Sequence, residues 1–175
     1  MIFKKKPTMT DELNTYMMVL LQLSAKSAEE LRTKYKFSEE SSTLVMIQII
    51  GFSLINLMRQ FAMRGIDASV FRKCVSNITE GMVNVMVDDA SHKPAALSVF
   101  RDEIQNIIST YGNLPLKNAD QSKGQGGTLV WEYGKLVSKT VTGRENELMT
   151  IMECASVVSN VQSAIQTDGL LKVVK

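Results

Sequence analysis

The sequence is poor in the residues on which most catalytic and stapled folds depend. It has a single histidine, His92. A serine or cysteine nucleophile would therefore lack its usual base, and no serine lies in a nucleophile elbow. The two cysteines, Cys74 and Cys154, are far apart, and each falls on the apolar side of an expected helix. There a free cysteine behaves as a small hydrophobe, and a reducing, cytoplasmic setting is the simplest reading. Only 3 prolines and 10 glycines interrupt the chain, which leaves room for long helices.

Charge of one sign is also scarce. The chain carries 20 basic and 18 acidic residues, a formal net charge of +2, so no general field draws it to nucleic acid or anionic lipid. The local exception, Lys4–Lys6, reads as part of a solvated basic tail over residues 1–8. An apolar stretch from Tyr16 to Leu23 follows it, as in an export signal. Asp11 and Glu12 break that pattern, and the stretch fits an amphipathic helix better.

What the sequence does contain is apolar periodicity. Hydrophobic residues make up 45% of the chain, 11 of them methionines. Met fills irregular gaps and adapts to partners. Leu13, Tyr16, Met17, Leu20, Ser24, Ala28, Leu31 and Tyr35 form one stripe at helical spacing over about 10–35, with Thr8 or Thr10 as cap. Asp67 opens a helix to about residue 88, striped by Val70, Phe71, Cys74, Val75, Ile78, Met82, Val85 and Met86. Gly81 inside it suggests a close helix contact. Another follows Pro94, carrying Leu97, Phe100, Ile104, Ile107, Ile108 and Tyr111, with Gly112 as its stop.

Between the first and third stripes lies the most distinctive segment. Ser38 caps a helix that runs to about residue 64 and carries no charge from Ser41 to Met58. As a helix that segment is about 27 Å long, near the lower limit for a bilayer crossing. Gln48, Ser53 and Asn56 interrupt it and no aromatic belt flanks it, so a membrane span is not expected. One face holds Leu44, Ile47, Ile50, Leu54, Leu57, Met58 and Phe61. A second strip of Val45, Ile49, Phe52 and Met63 lies opposite, and a helix apolar on two sides needs cover on both. Either the same chain supplies the second cover or a partner does, which makes those four residues the expected interaction face.

Residues 113–127 form a flexible Gly/Lys-rich loop. The spacing over 128–141 fits a helix better than a hairpin about Glu132–Lys135. Thr142 and Glu145 have capping-box spacing for a last helix over about 143–166, striped by Leu148, Ile151, Met152, Ala155, Val158, Val161 and Ile165. Leu170–Lys175 form an apolar-basic tail. The expected architecture is all-α: a single-domain bundle of five or six helices over 1–175, around a central apolar helix at about 38–64.

The polar motifs are weak. Glycines before a helix start can offer backbone N–H groups to an anion, so Lys123, Gly124, Gly126, Gly127 and Thr128 form the best such candidate. The Walker spacing is absent and no strand precedes the loop. Asp88, Asp89 and His92 could begin a metal set, yet nothing nearby completes it and a solvated turn is the better reading. Neighbouring carboxylates such as Glu29–Glu30 point apart on a helix. No catalytic residue, cofactor or metal site is therefore assigned. The leading expectation is a non-enzymatic protein acting through protein–protein contact or self-association. The alternative is a small apolar ligand or lipid held between helices. A nucleic-acid-associated regulator using Arg72, Lys73, His92, Lys93 and Arg101 ranks below both.

Overall fold

The computed structural model describes residues 6–116, 124–144 and 147–174. Among them are seven helices and no strand: α1 (Met9–Tyr35), α2 (Glu39–Met63), α3 (Ala68–Met86), α4 (Lys93–Tyr111), α5 (Leu129–Thr142), α6 (Leu148–Ala164) and α7 (Asp168–Val173). The all-α bundle expected from periodicity is the observed class.

Local chemistry explains most boundaries. Thr8 caps α1 through a capping box: its hydroxyl accepts from the Asp11 N–H at 3.2 Å, and the Asp11 carboxylate accepts from the Thr8 N–H at 2.9 Å. Ser38 accepts from the Ser41 N–H to start α2, and Asp67 from the Ser69 N–H to start α3. Pro94 sits in the first turn of α4, where its missing N–H costs no helical bond. At the other end of α4, the half-buried Arg59 of α2 donates to the carbonyls of Gly112 and Leu114. It thereby satisfies chain-end acceptors that the helix leaves open.

α2 is the hub. It packs against α1, α3, α4, α5 and α6, and it is buried almost continuously from Val45 to Leu57. It is long and apolar enough to cross a membrane, and two thirds of its most apolar stretch is buried inside the bundle. The second apolar strip is covered by the chain itself. Val45, Ile49 and Phe52 are all buried. Phe52 meets Tyr133 of α5 edge-on at 5.0 Å, and Gln48 on the same side donates to the Thr140 hydroxyl at 2.9 Å. The expected interaction face is thus corrected at these three residues: they are core, because helices of the same chain take the place of a partner, α5 doing so at Phe52. Met63, the fourth member, ends α2 beyond that cover and is 87% exposed.

The C-terminal third departs from expectation where its last long helix begins. Gly143 adopts φ +72° as the left-handed cap of α5, so the chain turns there and α6 begins only at Leu148. Thr142 ends α5, its hydroxyl donating to the Ser138 carbonyl, and Glu145 lies outside the described residues. The tail also folds: Leu170 and Leu171 of α7, with Val174, are buried, and α7 packs on α1.

Candidate interaction surface

The tightest helix pair is α5 with α6, and small residues make it so. A β-carbon added at Gly134 would stand 2.7 Å from the Ile151 carbonyl oxygen and 2.9 Å from the Ala155 β-carbon. This close approach fixes how α6 is rotated. Ile151, Cys154, Ala155, Val158 and Val161 turn inward, while Leu148, Met149 and Met152 are left 57%, 78% and 54% exposed. Positions 148, 149 and 152 are one helical neighbourhood. Beside Met152, Val130 and Trp131 of α5 are half-buried. With Met152 and Ala155 they line a hollow of about 260 Å³.

Polar groups flank this apolar face. Arg144 reaches Glu147 at 2.5 Å, immediately before Leu148. Glu153, next to Met152, accepts from the Tyr35 hydroxyl at 2.6 Å and from the Lys34 ammonium at 2.5 Å. The Lys34 hydrogen bond first, and that of Tyr35 second, hold the Glu153 carboxyl below its ordinary pKa. Burial, reinforced by the Glu153 bond, raises that of Tyr35. An apolar centre with a charged surround is the usual anatomy of a protein interface.

The other sequence candidates fall elsewhere. Thr128 is the N-cap of α5, accepting from the Trp131 N–H and donating to the Gln125 carbonyl at 2.7 Å. The Gly127 N–H donates to the Glu132 carboxylate at 3.0 Å. This helix start is therefore served by an acid of its own first turn. Gly124 and Gly126 lie in the exposed turn before it, and Lys123 lies outside the described residues.

His92 stands at the exposed start of α4, its Nδ1 3.6 Å from the Asp89 carboxylate, and Asp88 is exposed beside it. No group of three His, Cys, Asp or Glu side chains converges among the described residues. The basic residues of α3 and α4 are interleaved with acids rather than gathered. Arg101 lies 3.6 Å from Glu80, and Lys93 donates to the Asn84 carbonyl at 3.4 Å. Both cysteines are fully buried, and burial raises their thiol pKa values, that of Cys154 to about 12.

Sequence reasoning placed Leu148 and Met152 on the inward stripe of the last helix and did not single out Met149. One signal was available: this helix is apolar beyond a single stripe, the same feature that drew attention to α2. Which side would be covered depends on Gly134, a residue of another helix. No family model, curated protein or solved structure matches the chain.

Proposed function

We propose that the protein is a non-enzymatic helical bundle that acts by contact with another protein chain, through the α5–α6 face. The observation that carries this reading is the joint exposure of Leu148, Met149 and Met152 on α6, with Met152 sharing a hollow with the half-buried Trp131. Single exposed apolar residues are commonplace on monomers, whereas a cluster around an aromatic with a polar rim resembles an interface core. Methionine suits such a face because its unbranched thioether adapts to different partner shapes. The chemistry found elsewhere supports a binding role: the lone histidine is on an exposed helix start, and both thiols are buried and protonated.

A photo-crosslinking amino acid placed at position 149 tests the reading in the protein's own cell, with position 26 on the solvent side of α1 as control. A discrete protein adduct is expected from 149, absent from 26, and lost when Met152→Glu is added. The adduct's mass distinguishes a second copy of this chain from a different protein. The absence of any adduct above the control would overturn the reading.

A further inference from the structure

We propose that the groove between α3 and α4 binds a single-chain carboxylate amphiphile, an acyl tail of medium length carrying one anionic head. The groove measures about 350 Å³. Its floor is apolar: Phe71 and Ile104 are buried, and Val75 and Ile108 are half-buried. Arg72 from α3 and Arg101 from α4 stand exposed on its two walls.

Charge and size together select the occupant. A guanidinium presents planar, forked donors that match a carboxylate better than a point cation does. Arg101 already reaches across from α4 to α3, donating to the Ser76 hydroxyl at 3.2 Å. Its acid neighbour, Glu80, is 3.6 Å away with both side chains substantially exposed, a pairing a ligand carboxylate can displace at little cost. On the other wall, the Asp67 carboxylate near Arg72 is committed to the N-cap of α3. The floor runs along α3 from residue 71 to residue 79, about 12 Å of helix axis at about 1.5 Å per residue. A narrow apolar tail fits, and about 350 Å³ is within the range of small-molecule sites.

The groove is lined by α3 and α4 and shares no lining residue with the hollow of the α5–α6 face. Its ligand and the protein contact proposed above therefore stand or fall separately. The test is a titration of the intact protein with decanoate, 1-decanol and decylammonium, followed by the methyl NMR signals of Val75, Ile104 and Ile108. Decanoate should shift these signals saturably and bind at least about tenfold more tightly than decylammonium, whose head would face two like charges. Arg72→Gln and Arg101→Gln should each weaken decanoate about threefold to fivefold, the range of partly exposed ion pairs, and leave decanol unchanged. Both residues are exposed, so thermal melting should confirm that the variants fold. Equal binding of acid and amine, insensitivity to both arginine changes, or shifts confined to Trp131 and Met152 would each overturn the assignment.

Discussion

Replacing Gly134 with alanine sets two known effects against each other at one atom. Alanine in place of glycine inside a helix ordinarily gains about 1 kcal/mol. At this position the new methyl would meet the Ile151 carbonyl oxygen at 2.7 Å, the Ala155 β-carbon at 2.9 Å and the Ala155 nitrogen at 3.3 Å. None of the three can rotate away, because two are backbone atoms and the third is fixed to the backbone. Relief requires α5 and α6 to part by roughly 0.5–1 Å, a gap that forfeits a quarter to a half of each contact's attraction along the seam. Overpacking of this kind costs about 1–3 kcal/mol. The net expectation for Gly134→Ala is a loss of about 1 kcal/mol where propensity alone predicts a gain of similar size. Urea denaturation followed by circular dichroism measures the difference. Repeating it in an Ala155→Gly background removes the methyl–methyl conflict but leaves the carbonyl one, so the loss should shrink by about 0.5 kcal/mol, a coupling expected of residues in contact. A variant that gains the full propensity benefit, or two changes that add without coupling, would refute the α5–α6 packing described above.

Ile49→Ala should cost about 2–5 kcal/mol, as for other buried large-to-small changes, and the loss should not vary with protein concentration. A difference between the variant and the wild type that changes with concentration would mean that another molecule covers that face. The Glu153 cluster gives a pH dependence of definite sign. Its carboxyl is held below its unfolded pKa, so its stabilising share is fully present above about pH 4.3 and is lost as pH falls through the folded value. The stability gap between the wild type and Glu153→Gln should therefore narrow on acidification. A gap that stays constant down to the folded pKa would show that the Lys34 and Tyr35 bonds do not hold the carboxylate.

The parts of the fold that could be read in advance were those set by near neighbours in the chain. The stripe of α1 is buried as expected from Leu13 to Leu31, and the caps at Thr8, Ser38, Asp67 and Thr128 are made by residues within one turn of the helices they start. Gly81 does mark a close approach, to Met17 of α1. What could not be read depends on residues far apart in sequence. Periodicity showed that Val45, Ile49 and Phe52 needed cover, but not that Tyr133 would supply it at Phe52. It placed Phe71 and Val75 on one stripe, and Ile104 and Ile108 on another, without showing that they share a groove floor. The outward turn of Met149 and Met152 follows from a helix contact at Gly134, and methionine is equally at home on either side.

The burial of α2 has a consequence for the chain while it is being made. α5, which covers the Phe52 side of α2, begins only at Leu129. About 65 residues separate the end of α2 from that start, and synthesis at roughly 5–20 residues per second takes several seconds to supply them. During that interval the uncharged 41–58 segment of α2, nearly of bilayer-spanning length, lacks the cover that α5 and α6 supply. The feature that makes the finished bundle coherent is therefore also the nascent chain's greatest exposure to aggregation and to the machinery that recognises membrane segments.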